Sequence, residues 1–315
     1  MLDYRLAGWI MVICNPASGS GAGRAVLERL RHTLDREKLP YTSEITARRG
    51  DAARLARAAV LSGCGAVFVI GGDGTLFEVV NGLMDPASEG TLLRPEVAVG
   101  LVQTGRGSDF GRSVGIPSDI DAAFARLLAG RTQRIDLGHV HYRSFRGEVR
   151  SRYFANAAGL GFDAEVTLRA NSASHALGST IPYLSSLFAT LGTYRNKRMR
   201  IETDALPEWQ GRVNSIVVAN GQYFGGGMRI APNAEVADGS LDVVVLGDLG
   251  KLDLVRNVPR VYDGSHLTHP KVRSFSAMRV QASSPDRVLL QADGEVLGTA
   301  PASFHIVPSV LTLIV

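Results

Sequence analysis

Only two cysteines, Cys14 and Cys64, occur among 315 residues. With neither a CxxC pair nor a disulfide framework, a disulfide-stapled secreted fold is excluded and a reducing compartment is expected. Each cysteine lies in or beside an apolar run and reads as a small buried hydrophobe. Aromatic residues make up only 7%, and no basic–aromatic stripe is present, which argues against a nucleic-acid partner. Long Lys/Arg blocks are missing too. The net charge of +4 suits anionic partners such as nucleotides or acidic lipid surfaces without requiring them. No apolar run approaches the ~20 residues of a membrane span. The opening MLDYRLAGWIMVIC has no separate charged region and no small-residue cleavage site, so it reads as the approach to a first strand rather than as a signal peptide.

Glycine is abundant, at 35 residues, and much of it sits in short clusters beside apolar runs, as in loops lined by backbone. The length suits two domains with separate cores. Residues 9–14 form a continuous apolar run, expected of a strand buried on both faces. A helix follows, with Val26, Leu27, Leu30 and Leu34 on one face. Strands at 41–45, 66–70 and 97–102 then alternate with helices at 51–62, 76–84 and 119–129. This alternation predicts a parallel α/β sheet with functional loops at the carboxyl ends of its strands. Beyond Asp136 the strands are short and often alternating (152–158, 197–203, 212–219, 241–246, 277–282, 287–292, 303–307), which predicts an antiparallel β domain. Helical patterns interrupt it near 163–170, 181–194 and 250–258. We place the domains at 1–138 and 139–309; the last strand, 310–315, could return to the first domain, and the sequence leaves this undecided.

The most informative segment is VFVIGGDGTLFEVVNG, residues 67–82. Gly71, Gly72 and Gly74 let backbone N–H groups approach a phosphate, and the helix that follows presents its positive end to the same anion. Asp73 would repel a phosphate, but makes sense as a ligand, direct or through water, of the Mg²⁺ that accompanies ATP. The first loop, Asn15–Gly23, is rich in small and turn-forming residues and lacks the Gly-Lys-Ser/Thr of a Walker A loop. A third loop runs Gln103-Thr104-Gly105-Arg106-Gly107-Ser108-Asp109-Phe110. Asp109 is either part of a catalytic network or a cap on the next turn. His139 and His141 alternate along one strand face, yet no Cys or Glu is spaced to complete a zinc site, so they read as solvated or locally hydrogen-bonded imidazoles. The same holds for His266 and His269.

Gly71–Thr75 resembles the signature of diacylglycerol-type lipid kinases, sphingosine and ceramide kinases and NAD kinases. Asn15-Pro16-Ala17-Ser18-Gly19, Asn220-Gly221, Phe224–Met228, Ala231-Pro232, Asp238–Asp242 and Asp293-Gly294-Glu295 follow in the order of the diacylglycerol kinase catalytic-domain family. The chain is identified as resembling its bacterial soluble members, which act on diacylglycerol, phosphatidylglycerol or related lipids. The resemblance implies an α/β nucleotide-binding domain, a C-terminal antiparallel β-sandwich that holds the lipid, and a cleft between them. It implies ATP and Mg²⁺, and phosphorylation of a lipid hydroxyl reached from the cytoplasm by peripheral contact with the inner face of the membrane. Homodimerisation is compatible with it. By resemblance the nucleotide contacts are Asn15, Pro16, Ala17, Ser18, Gly19, Thr46, Gly72, Asp73, Gly74, Thr75, Leu76, Phe77 and Glu78. The catalytic set is Glu295 as general base, with Asp73, Asp109 and Asp136; Asp293 is an orienting neighbour. The family's metal site falls on Glu235, Asp238 and Ser240, where an acidic turn without metal is the alternative. The third loop departs from the family's Gly-Thr-x-Asn-Asp: Arg106 stands where Thr is usual and Ser108 where Asn is. Arg106 either clamps phosphates as a fork-shaped cation or marks an altered site. Residues 181–194 form either a core helix with a basic cap or an interfacial helix. NAD kinase is the enzymatic rival, and a non-catalytic lipid- or nucleotide-binding module the rival of another class.

Overall fold

The computed structural model describes residues 8–104, 108–172 and 180–315. It divides into two compact units, one comprising 1–136 with 308–315, the other 137–307.

In the N-terminal unit the elements run β1 (Ile10–Cys14), α1 (Gly23–Arg36), β2 (Tyr41–Ile45), α2 (Asp51–Leu61), β3 (Ala66–Gly71), α3 (Asp73–Leu83), β4 (Ala98–Gln103), α4 (Asp109–Ser113) and α5 (Ile120–Ala129). The strands form a parallel sheet in the order β4-β3-β1-β2. Every residue of β1, β3 and β4 is buried, which is why these segments read as unbroken apolar runs rather than alternating ones. One face packs Val12, Phe68 and Ile70 against Leu27, Leu30 and Leu34 of α1 and Phe124 and Leu127 of α5. On α3, Gly82 lies so close to the Ala53 backbone of α2 that a Cβ there would collide with the Ala53 carbonyl oxygen. Both cysteines are fully buried, and burial pushes the Cys64 thiol up to about 11, so both act as small hydrophobes.

The C-terminal unit is an antiparallel β-sandwich. Its remaining elements are β5 (Thr132–Arg143), β6 (Val149–Phe154), β7 (Ala157–Gly161), α6 (Phe162–Ser172), α7 (Thr180–Thr193), β8 (Lys197–Thr203), β9 (Trp209–Val213), β10 (Ser215–Ala219), β11 (Leu241–Leu246), α8 (Lys251–Asp263), β12 (Val272–Ala277), β13 (Arg279–Ser283), β14 (Leu289–Ala292) and β15 (Glu295–Ile314). One run of strands is β12-β11-β10-β7-β14-β15, while β13 links β15 to β8 and β8 to β9, and β5 pairs with β6 and β15. The central strands β7, β10 and β14 are buried throughout. The division between the units falls within β5 and within β15. The end of β15 pairs in parallel with β4, Thr312 opposite Ala98 and Leu313 opposite Val99.

Several segments expected as single strands are pairs. The 152–158 run breaks at Ala155-Asn156, 212–219 at Asn214 and 277–282 at Met278. In each, backbone N–H groups at the break turn to partners off the ladder, as when Asn214 donates to the carbonyls of Leu246 and Gly247. The helix expected from 76 starts at Asp73, because Gly72 is already extended and serves as its N-cap.

Candidate active site

Parallel strands deliver their carboxyl ends to one edge of the N-terminal unit, and four loops meet there. Asn15, just after β1, donates its backbone N–H to Ile70 O (2.9 Å) and its side-chain amide to Thr75 Oγ1 (3.2 Å). Its own Oδ1 accepts from Ala17 N at 3.1 Å, closing the turn locally. Thr46, past β2, donates its N–H to Cys14 O at 2.9 Å. Thr104, past β4, donates its N–H to Gly71 O at 3.2 Å and its hydroxyl to Ser18 Oγ at 2.8 Å. Gly19 adopts φ +63°, and a Cβ there would run into the Thr104 carbonyl oxygen, so only glycine lets these loops close on each other. At the head of α3, Gly72 offers no side-chain cap. A helix N-terminus without a side-chain cap is a favourable place for an anion.

Asp73 opens α3, and its carboxylate receives the N–H groups of Asp109 (3.0 Å) and Phe110 (3.3 Å). Burial pushes its pKa up, and those two backbone bonds and the Arg112 charge pull it back. Asp109 is itself buried and 3.7 Å from Arg112. The second and third loops are thus tied together through one carboxylate.

In the C-terminal unit, Asp293 (φ +46°) and Gly294 (φ +82°) make the two-residue turn between β14 and β15, with both central residues left-handed as a type I′ hairpin requires. The Asp293 carboxylate accepts N–H groups from Ala155 (2.8 Å), Asn156 (3.1 Å) and Ala157 (3.0 Å). Asn171 Nδ2 holds the Gly294 carbonyl at 3.0 Å. Glu295 is the first residue of β15, half-buried and paired with Ala292, so a turn anchored at both of its central residues sets its position.

The same unit encloses an apolar cavity of about 100 Å³, walled by Phe162, Val166, Leu187, Val217, Leu246 and Val261 among others. Asp163 lies on its wall, accepting Ser215 Oγ–H at 3.0 Å and Gln291 Nε2–H at 3.2 Å. Burial raises its pKa to about 6 despite those bonds.

A model of the diacylglycerol kinase catalytic domain matches residues 9–140, and one of the YegS C-terminal NAD kinase beta sandwich-like domain matches residues 156–315. The chain belongs to the diacylglycerol kinase family. A diacylglycerol kinase of Mycobacterium tuberculosis is 29% identical over 312 residues, covering 98% of this chain and 95% of the relative. One of Staphylococcus carnosus is 28% identical over 293 residues, 93% of this chain and 90% of the relative. A crystal structure of a diacylglycerol kinase from Bacillus anthracis superposes with a TM-score of 0.71 at 20% identity, covering 97% of this chain and 96% of that one. An NAD kinase from Archaeoglobus fulgidus in complex with ATP shares the fold more distantly, with a TM-score of 0.52 and 11% identity over 97% and 93% of the two chains. As a kinase of this family the chain uses ATP.

Among the residues that the diacylglycerol kinase resemblance picks out, the structure gathers Asn15–Gly19, Thr46, Gly72, Asp73, Gly74 and Asp109 at one sheet edge. Others it assigns to different work. Leu76, Phe77 and Thr75 are buried, so their side chains belong to the core and to the Asn15 contact. Glu78 gives both carboxylate oxygens to the start of α2, accepting from Gly50 N (2.8 Å) and Ala52 N (3.1 Å). In this structure it caps a neighbouring helix. Asp136 is almost wholly buried and accepts the N–H of Ser309, 2.6 Å away, where the backbone turns left-handed at φ +49°. That bond holds the backbone where β15 turns at Ser309. At the expected cation site, Asp238 accepts both Ser240 N and Ser240 Oγ at 2.9 Å. Arg106 lies outside the described residues.

Sequence reasoning passed over Thr104 as a loop partner and Asp163 altogether. Asp163 carries a faint signal, an acidic residue at the head of a helix after a buried strand, but that pattern is shared by ordinary caps. His266, read as a loop imidazole, is buried, with Nε2 3.0 Å from Ile230 O.

Proposed function

We propose that the chain transfers the γ-phosphate of ATP to the hydroxyl of diacylglycerol or a closely related membrane lipid. The observation that carries the acceptor class is the apolar cavity of the C-terminal unit, whose walls offer dispersion contact and dry surface to an acyl chain and almost nothing to a polar nucleotide. The helices that border it also carry exposed apolar side chains: Phe188 on α7 is 56% exposed, and Leu252 and Val255 on α8 are 71% and 44% exposed. One helix side thus faces the cavity while the other suits a lipid surface. No described helix is long and apolar enough to cross a membrane; the approach to the lipid proposed here is peripheral, at the cytoplasmic face.

The loops Asn15–Gly19 and Gly72–Gly74 bind the phosphates through backbone N–H groups. Mg²⁺ fits beside them: a carboxylate has about four acceptor positions, and the two backbone bonds of Asp73 leave room for a cation or its water. Bound there, Mg²⁺ would neutralise charge on the phosphates. Glu295 is the proposed base. As the lipid oxygen bonds to the γ-phosphorus, the bridging P–O bond breaks, ADP leaves, and the hydroxyl proton passes to Glu295. A second cation suits the loop of Glu235, Asp238 and Ser240: Asp242 has its pKa pushed to about 6 by burial, then by the charges of Asp238 and Glu235, a strain that a cation relieves.

The test is a panel of lipids (diacylglycerol, phosphatidylglycerol, sphingosine) in mixed vesicles with γ-labelled ATP, with NAD as a water-soluble acceptor. Label in diacylglycerol or its near relatives is expected. Label in NAD alone would move the chain to its distant structural neighbour's reaction; label nowhere, with ATP still bound, would make it a binding module.

A further inference from the structure

The two histidines that alternate on β5 are joined by a third that no spacing in the sequence announces. Residues two apart on a strand share a face, and β15, which pairs with β5, brings His305 to His139 and His141. One side-chain nitrogen from each of the three lies within 4.8 Å of the others. His139 Nδ1 and His305 Nε2 are 3.3 Å apart. Ring centroids are separated by 4.5 Å (His139–His141), 4.9 Å (His139–His305) and 5.9 Å (His141–His305).

From this we propose that His139, His141 and His305 form a binding site for a borderline divalent transition metal ion, of which Zn²⁺ is the type, separate from the Mg²⁺ chemistry of phosphoryl transfer. Three features support the assignment. The first is distance. With Zn–N bonds of roughly 2.0–2.1 Å, the edge of a tetrahedron is about 3.3–3.4 Å, the separation already present between His139 and His305. The second is pre-organisation. His139 is fully buried, and its ring lies flat on Tyr153, centroids 4.0 Å apart and planes 7° apart. Tyr153 stands opposite it on β6. The ring plane is therefore fixed before any ion arrives, while His141 and His305 are half-buried and reached from solvent. The third is donor chemistry, an imidazole nitrogen from each of the three. Imidazole donors select zinc, copper, nickel or cobalt over Mg²⁺ or Ca²⁺, which prefer oxygen. Three protein ligands also leave a coordination position for water or another donor. A bound ion would tie β5 to β15 and stabilise the C-terminal unit by mass action.

The test uses the full chain freed of metal by chelation and dialysis. Titration with Co²⁺ should give the visible absorption of a tetrahedral nitrogen site, Zn²⁺ should displace it in calorimetry, and Zn²⁺ should raise Tm while Mg²⁺ does not compete. His141→Ala and His305→Ala remove half-exposed ligands and spare the buried His139. Each should weaken Zn²⁺ by more than about 100-fold, since even outer partners of a metal ligand cost 10–100-fold. His141→Gln, which keeps the size and polarity, should lose the ion equally, and circular dichroism of all three checks that they fold. Absence of saturable Zn²⁺ binding in the stripped wild type, or unchanged affinity in folded His141 and His305 variants, would overturn the site.

Discussion

The two units keep their chemistry in different places along the chain. In the N-terminal unit the proposed phosphate-binding groups come in unbroken stretches, Asn15–Gly19 and Gly71–Thr75, each set at the end of a buried strand. In the C-terminal unit several polar constellations are assembled from afar: Asp293 with Ala155 across 138 residues, Asp163 with Gln291 across 128, His139 with His305 across 166. A parallel sheet sends all of its strand ends to one edge, so a short loop can carry a whole function. Antiparallel strands of mixed order place a site wherever distant strands happen to neighbour each other. The first kind of site tolerates little change within one loop; the second is vulnerable at several remote points.

The largest expected effect tests the loop-borne site. Asp73→Ala removes both the acceptor for the Asp109 and Phe110 N–H groups and the proposed Mg²⁺ contact, and should take transfer below detection, a loss of several kcal/mol in the transition state. Near-normal turnover by the folded variant would separate Asp73 from the reaction. Glu295→Gln sits on the assembled side. It keeps the size of the proposed base but cannot take the proton, so kcat should fall about 10²–10⁴-fold with the KM for ATP little changed. A proportional change in both constants would point to nucleotide binding instead.

Stability against pH sharpens the comparison further. Folding raises the Asp163 pKa to about 6 from the ordinary 3.8. The folded state therefore favours the protonated acid; that stability is present below about pH 4 and lost as pH rises through about 6. The cost of two pKa units is roughly 3 kcal/mol. Asp163→Asn should flatten the fall in Tm between about pH 4 and 6.5, and parallel profiles for wild type and variant would show that Asp163 is not the titrating group. A smaller effect concerns the lipid surface. Leu252→Glu with Val255→Glu should raise the KM for vesicle-borne diacylglycerol about tenfold, ~1.4 kcal/mol of lost apolar contact, and leave the KM for ATP alone. Equal activity on vesicles and on a short-chain lipid in both proteins would remove α8 from the membrane face. Smallest of all, Glu78→Ala should cost about 1 kcal/mol of stability, as a lost helix cap does, with the KM for ATP unchanged. A selective rise in that KM would return Glu78 to the nucleotide.

Much of the N-terminal unit was legible because its signals are local. A strand buried on both faces must be apolar throughout, and a glycine cluster after it has few uses other than a close backbone approach. What a motif does not show is that its residues face different partners. Along α3 the side chains fan around a helix, so Asp73 stays at the loop edge while Leu76 and Phe77 turn into the core and Glu78 reaches α2. In the C-terminal unit the short strands were recognisable, but their breaks at Asn156, Asn214 and Met278 were not, since each depends on hydrogen-bond partners elsewhere in the chain.

The sequence by itself determined the order of elements, the α/β and β-sandwich character of the two halves, the glycine loops and the family, because periodicity and turn chemistry act over a few residues. Only the tertiary structure decided that Asp136 is a buried anchor for Ser309, that Asp163 stands on the wall of an apolar cavity, and that His305 joins His139 and His141. Those outcomes turn on which strands pair, and strand pairing is fixed by burial summed over the whole unit rather than by any one segment.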